Sequence, residues 1–379
     1  MSRAQILGAR ILGARILGRV GSLRCVPACG GLAILAGLLA LTLGTGVCAQ
    51  AVPTGGPAIC TEAASGRLEL HCRLGQAAGR AIGGAEFGAI AALARAQGRM
   101  DGPAAPPRLT PFVIPILRQE GDINGGNPDR PLVLGNLVFM GDPARLRTSG
   151  VVAGAEIGVA LVHAAPPGVR LGLVGAWSGA TDGSEGAGIR SARLSGCLER
   201  GLALGWFAEL CAEARRTLRR FATTDTRATT LRVGRVFTAP GRTHAEAHLG
   251  VARALQDFAG QRRLLGGIDT IHRNGWHTGV HLMAGSAVGG RHAVRREAVG
   301  RIRIPAGARW VRIETSISAA SGSFYFGVPR NETTLGAALV VPLTRALRLS
   351  AGYRRTRASI DYFASEGATF GIQFAPIPF

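Results

Sequence analysis

Hydrophobic and polar residues alternate along much of the chain, most clearly in residues 300–319. Arg301 and Arg303 alternate with isoleucines, a Pro-Ala-Gly turn follows, and Arg312 and Glu314 then alternate with valine and isoleucine. Successive side chains of a β-strand point to opposite faces, so this pattern predicts a hairpin with one apolar and one charged face.

The same alternation recurs in fourteen segments, each about long enough to cross a bilayer as a tilted strand. The predicted strands are 108–118, 148–162, 169–180, 187–199, 204–215, 226–237, 243–255, 262–273, 276–287, 293–304, 308–319, 332–342, 346–357 and 367–375. Short turns, such as Asn274-Gly275, follow the even-numbered strands, and longer loops, notably 119–147 and 320–331, follow odd-numbered strands. Alternating short and long connections between an even number of strands are typical of outer-membrane barrels.

The sequence therefore predicts an all-β fold, a transmembrane antiparallel β-barrel of about 14 strands over residues 108–379. A sheet that spans a membrane must close on itself, because an open edge would expose unpaired backbone groups to lipid. The alternative is a soluble periplasmic β-sandwich, which also alternates. Residues 52–107 form a short, partly helical segment that either plugs the barrel or lies in the periplasm.

Residues 1–51 resemble a leader and signal peptide. Five arginines and no acidic residue precede the apolar run 31–43, and small residues around Ala49 and Ala51 suit signal-peptidase cleavage. The apolar run is too short to span a bilayer as a helix, although a membrane anchor is the alternative interpretation. We therefore expect export to the outer membrane.

Composition supports this class of protein: 47% of residues are hydrophobic, only 18% are charged, and the formal net charge is +21. All basic residues are arginines. Such a charge can indicate nucleic-acid binding, but the chain has no aromatic-rich basic motif and carries an export signal. An arginine-lined interior, or contact with anionic lipopolysaccharide, explains the charge better.

Four cysteines follow the leader, in the local pairs Cys60 with Cys72 and Cys197 with Cys211. In an oxidising compartment, an even number of cysteines at short spacing predicts disulfides. A metal site is the alternative, but neither a CxxC motif nor paired histidines accompany these residues.

His244, Glu246 and His248 alternate along one predicted strand and suggest metal ligands. The two histidines are, however, roughly 13 Å apart along the backbone, so a polar lumen wall is the better interpretation. The predicted lumen-lining residues are Glu156, Glu209, Glu213, His244, Glu246, His248, Arg301, Arg303, Arg312, Glu314 and Arg348. No catalytic signature is present, so we expect neither enzyme activity nor a cofactor.

The start of the predicted barrel resembles that of the surface lipoprotein assembly modifiers. The resemblance rests on PFVIP at 111–115, on Asp122 and Asn124, which match the family's Asp-x-Asn element, and on LGNLVF at 134–139. Residues 353–363 are similar to the family's last hairpin.

This resemblance implies an outer-membrane translocator that displays a lipoprotein or secreted client at the cell surface. The family usually has tetratricopeptide repeats before its barrel, and no 34-residue repeat is present here. The alternative is a passive anion-preferring pore or a structural barrel. The terminal aromatic residue Phe379 suits a chain that the barrel assembly machinery inserts among outer-membrane lipids.

Overall fold

The elements described below all belong to one compact unit, Pro53–Phe379. The computed structural model describes residues 59–60, 63–100, 106–183, 188–257, 259–306, 309–325, 327–344, 346–375 and 377–378. The predicted leader 1–51 and the predicted assembly signal Phe379 lie outside these ranges.

Strands make up most of the described chain. They are β1 (Arg108–Glu120), β2 (Leu132–Leu134), β3 (Leu137–Phe139), β4 (Gly150–Ala165), β5 (Val169–Thr181), β6 (Gly188–Gly201), β7 (Trp206–Leu218), β8 (Thr223–Ala239), β9 (Thr243–Gln256), β10 (Ala259–Ile271), β11 (His277–Gly285), β12 (Ala293–Ala306), β13 (Arg309–Tyr325), β14 (Val328–Pro342), β15 (Leu347–Ala358), β16 (Ser365–Phe374) and β17 (Ile377–Pro378).

The main sheet closes on itself. Each strand from β4 to β16 pairs with its neighbour in chain order, and β1 pairs with both β4 and β16, which gives a ring of fourteen strands. The closing contact aligns Leu117 with Ile372, and β17 adds two pairs beside it on β1. All pairings in the ring are antiparallel, so the predicted 14-strand barrel is confirmed and the β-sandwich alternative is wrong.

The outer face of the barrel is apolar and exposed. Leu249 is 70% exposed, and Leu194 and Leu264 are exposed to a similar degree on other strands. Other exposed side chains of this belt are Ile157, Trp177, Leu210, Leu231, Val251, Val280, Leu282, Ile317 and Leu335. Soluble monomeric proteins do not expose to water an apolar surface that continues over so many strands. The architecture is that of an outer-membrane β-barrel, whose belt faces lipid.

The connections between strands differ at the two ends of the barrel. One end, here called the short-turn end, carries the turns at residues 166–168, 202–205, 240–242 and 272–276. The other, the long-loop end, carries the connection 121–149, which contains the β2–β3 hairpin. The predicted long loop at 320–331 is wrong, because β13 and β14 continue pairing to Tyr325 and Val328.

Two helices precede the barrel, α1 (Gly66–Ala77) and α2 (Gly84–Ala96). Polar and apolar residues alternate over residues 67–70, as they would in a strand, but this segment lies in α1. The Ser65 side chain caps the helix by accepting a hydrogen bond from Leu68 N, and an i,i+4 ion pair joins Glu69 to Arg73 at 2.7 Å. Among the described residues, no helix is long and apolar enough to cross a membrane.

Candidate functional site: the occupied lumen

Cross-strand register identifies the inner face of the barrel. Glu209 on β7 is aligned with Glu199 and Arg232, and both Glu199 and Glu209 contact Arg67 of α1. Following the aligned pairs around the ring places all the predicted lumen residues on this same face. They are Glu156, Glu209, Glu213, His244, Glu246, His248, Arg301, Arg303, Arg312, Glu314 and Arg348.

Helix α1 is held in the lumen by the Arg67 cluster, which consists of Arg67, Glu199, Glu209 and Glu246. Arg67 Nη1 lies 2.7 Å from Glu199 Oε2 and 3.1 Å from Glu209 Oε2, and Nη2 lies 2.8 Å from Glu246 Oε1. All four side chains are at most 10% exposed. One guanidinium thus joins the inserted helix to three different strands.

Neighbouring groups complete this cluster. Ser65 Oγ donates a hydrogen bond to Glu246, and Arg232 forms a second ion pair with Glu209. The guanidinium carbon of Arg67 lies 3.8 Å from the centre of the Phe207 ring, an additional cation–π contact. Burial alone would lower the pKa of Arg67, but the hydrogen bond to Glu246 and the three carboxylate charges raise it above its ordinary value. The cluster therefore keeps Arg67 charged.

An apolar cluster surrounds the same helix. Leu68 and the disulfide-bonded pair Cys60 and Cys72 pack with Phe207 and Ile271 of the barrel wall, and none of these residues is more than 1% exposed. The disulfide joins the helix to the residues that precede it, with an Sγ–Sγ distance of 2.12 Å. Apolar burial and buried charge thus act together to fix α1 against β6 to β10.

The inserted segment lies at the short-turn end. The Gly98 carbonyl accepts a 2.6 Å hydrogen bond from Gly168 N in the turn between β4 and β5. Gln97 Nε2 donates to Gly66 O at 2.6 Å and thereby connects the end of α2 to the start of α1. In outer-membrane barrels the short turns face the periplasm, so this segment enters the lumen from that side.

The long-loop end is narrowed by the connection that follows β1. Ile123 is fully buried against Val152 and Ile189, which lie on the inner face. The Asn124 side chain donates to Leu146 O and Thr148 Oγ1 at 2.7 and 3.0 Å, and its oxygen accepts from two backbone N–H groups. Asp122 Oδ1 accepts from Gly125 N at 2.7 Å. Asp122 and Asn124, the two residues of the family-like motif, therefore shape a loop that folds inward.

Arginines dominate the wall on the other side of the lumen. Arg301 and Arg312 share the carboxylate of Glu314 at 3.0 and 3.6 Å. Arg348 and Arg354 on β15 are exposed to the lumen, and neither has an acidic partner in the part of the chain that the structure describes. The hydrogen bonds and ion pairs of α1, by contrast, reach Glu199, Glu209, Thr238 and Glu246 on β6 to β9.

A cavity of about 440 Å³ lies next to the closing strands β1 and β16. Arg118, Arg215, Glu156 and Gln373 are among its lining residues. Its lining also includes apolar side chains such as Ile116 and Ile189, so charged and apolar groups share this part of the inner face.

The second cysteine pair also faces the lumen. Cys197 and Cys211 are aligned on β6 and β7 and are bonded, with Cα atoms 4.1 Å apart. Together with Glu209 they form the one group of three or more His, Cys, Asp or Glu residues in the described part of the chain whose ligand atoms all lie close together. Because the two sulfurs are bonded to each other, they are not available as thiolate ligands.

The comparisons with known proteins give distant likenesses only. No protein-family model matches the chain, and no curated protein matches it. Among solved structures, OccAB1 of Acinetobacter baumannii is similar at 8% identity and a TM-score of 0.39, over 75% of this chain and 99% of that chain. A BenF-like porin of Pseudomonas fluorescens is similar at 8% identity and a TM-score of 0.39, over 73% of this chain and 100% of that chain. The β domain of the Bordetella autotransporter BrkA is similar at 15% identity and a TM-score of 0.30, over 70% of this chain and 99% of that chain.

The resemblance to surface lipoprotein assembly modifiers therefore remains a prediction from sequence. The barrel itself rests on the strand pairing and the apolar belt, not on these likenesses. Sequence reasoning missed Arg67. The available signal was a single arginine between two cysteines beside a capping serine, but nothing in the sequence indicates which glutamates it meets.

Proposed function

We propose that this protein is an outer-membrane pore for small anionic solutes, narrowed by its own N-terminal segment. The observation that carries the proposal is the arginine wall on β12 to β15, where Arg301 and Arg312 share one carboxylate and Arg348 and Arg354 have none among the described residues. Rings of positive side chains at a constriction attract anions and repel cations.

The charge distribution supports a pore that conducts along one side. The Arg67 cluster, together with Arg232, sets two guanidinium groups against three carboxylates on β6, β7 and β9, so the cluster occupies this half of the lumen and carries no excess positive charge. In the ring order, β15 lies opposite β8, so the arginine wall faces the inserted helix across the remaining space. A small anion that enters this space meets Arg348 and Arg354, which have no acidic partner among the described residues.

The inserted segment argues against passage of a folded or extended protein client. A translocator needs a lumen that admits a polypeptide, and here α1 would have to leave, which breaks three buried ion pairs and the apolar cluster. We therefore prefer the function of a pore to that of the translocator that the family resemblance implies. Neither proposal includes catalysis.

Planar-bilayer recording of the purified full chain tests this proposal. In a KCl gradient we expect steady conductance and a reversal potential that indicates preference for chloride. The variant R348Q/R354Q removes two lumen charges and should lower the anion preference several-fold. The matched control R355Q/R357Q removes two arginines from the outer face of the same strand and should leave selectivity unchanged.

Three results would contradict the proposal: no conductance, cation preference, or an equal effect of the two double variants on selectivity. Loss of a surface-exposed protein from cells that lack this chain, without any conductance of the purified barrel, would favour the translocator instead.

A further inference from the structure

Two histidines converge on one point of the inner wall. His248 on β9 and His281 on β11 are both aligned with Gly267 on the strand between them. Their backbones are about 10 Å apart because two strand spacings separate them. The rings nevertheless lean towards each other, with centroids 5.6 Å apart and planes tilted by 35°.

Gly267 makes this approach sterically possible. A Cβ at this position would lie 2.9 Å from His248 Nε2 and 2.5 Å from His281 Nδ1. Both nitrogens therefore border the same small space, which any other residue would fill. The glycine leaves a gap between two imidazole nitrogens, of the kind that a metal ion occupies at about 2.0–2.1 Å from each ligand atom.

Asp269 orients one of the two rings. Its Oδ1 lies 3.2 Å from His281 Nε2, so the protonated Nε2 donates to the carboxylate and the lone pair of Nδ1 points to the gap. A carboxylate that holds the far nitrogen of a histidine is the usual outer-shell partner of a metal-bound imidazole. His281 is 29% exposed and Asp269 14%, so the gap is reached from the lumen.

We propose that His248 and His281 form a lumen-wall site for a borderline divalent cation such as Cu²⁺, Zn²⁺ or Ni²⁺, with Asp269 as the positioning residue. Imidazole nitrogen suits these ions, whereas Mg²⁺ and Ca²⁺ prefer oxygen ligands. Two protein ligands leave the remaining coordination positions to water, which fits an exchangeable site. The neighbouring histidine of β9, His244, lies beside α1 instead, with its ring 5.5 Å from that of His71.

The test is a Cu²⁺ titration of the full chain, purified in detergent without a polyhistidine tag and followed by electron paramagnetic resonance. We expect one bound Cu²⁺ per chain with hyperfine coupling to two nitrogens. H248Q, H281Q and G267A should each weaken binding at least tenfold, and D269N should weaken it about 10- to 100-fold. G267A is the sharpest variant, because it keeps all ligands and fills only the gap.

The matched control is H244Q, which removes another histidine from the same strand and should bind Cu²⁺ as the natural chain does. The gel mobility of boiled and unboiled samples shows whether each variant still forms the barrel. If G267A does not form the barrel, the Cu²⁺ binding of H248Q and H281Q decides the question. The proposal is wrong if both of these variants bind Cu²⁺ normally. It is also wrong if H244Q alone abolishes binding, which would assign the ion to the His71–His244 pair. The readout is independent of conductance, so it stands or falls separately from the pore.

Discussion

Replacing Arg67 by glutamine should release α1 from the lumen. The substitution removes the one positive charge that pairs with Glu199, Glu209 and Glu246. Breaking a buried ion pair by removing one partner costs about 3–5 kcal/mol, because the remaining charge stays buried without compensation. The expected loss is towards the lower limit, since Glu209 keeps Arg232 and Glu246 keeps Ser65.

A loss of about 3 kcal/mol corresponds to roughly a hundredfold increase in the undocked population of α1. Hydrogen exchange followed by mass spectrometry reports this population directly, through the backbone amides of α1. Amides in Gly66–Ala77 should therefore exchange about a hundred times faster in R67Q than in the natural chain. The barrel strands should keep their protection, and the conductance of R67Q in bilayers should rise.

The matched control is R73Q, on the same helix. Arg73 pairs with Glu69 at 2.7 Å within α1 and makes no ion pair to the barrel in the described residues. Loss of such an i,i+4 pair costs only about 0.2–0.5 kcal/mol, so exchange should change less than threefold. If R67Q and R73Q exchange alike, the Arg67 cluster does not hold the helix, and the argument from buried charge fails.

Three further predictions concern other parts of the molecule. Burial, with the nearby charge of Arg99, lowers the pKa of His71 below its ordinary 6.5 when α1 is docked. Docking is therefore strongest above pH 6.5 and weakens as the pH falls through the lower pKa of the docked state. Bilayer conductance should rise between pH 7 and 5, and it should rise less in H71Q. N124A removes four hydrogen bonds of the inward-folded loop and should cost about 1–3 kcal/mol locally, seen as faster proteolysis of residues 121–149 with an unchanged gel shift. L249R places a charge in the lipid-facing belt and should destabilise the barrel by about 2–4 kcal/mol, measured by urea unfolding in vesicles, whereas L204R in a turn should have little effect.

The barrel could be predicted because the alternation and turn residues that specify its strands are close together in the sequence. Period-two alternation and turn residues gave fourteen strands, and the structure has a ring strand at every one of those positions. Alternation over only a few residues does not distinguish a strand from a helix. Residues 67–70 alternate over only four positions, while the cap of Ser65 and the i,i+4 spacing of Leu68 and Cys72 favour a helix with one buried face.

The contacts of the lumen could not be predicted, because they depend on register between strands and on what enters the barrel. Alternation indicates that Glu209 and Glu246 face inward, but not that one arginine far earlier in the chain joins them. The predicted pattern of His244, Glu246 and His248 is an example. These residues are well separated along their own strand, but in the folded barrel Glu246 meets Arg67 of α1 and His248 meets His281 of β11.

Glycines on the inner face make room for side chains in both the Arg67 cluster and the histidine pair. A Cβ on Gly234 would lie 2.5 Å from both Phe207 Cζ and the Ala247 carbonyl oxygen, so glycine makes room for that ring against the wall, where the Arg67 guanidinium lies over it. Gly267 does the same for His248 and His281. In both cases the side chain that matters occupies space left by an aligned residue on the next strand. G234A should therefore displace Phe207 and loosen α1, as R67Q does, without removing any charge. Equal hydrogen exchange of α1 in G234A and in the natural chain would show that the ion pairs alone, and not the shape of the wall, position the helix.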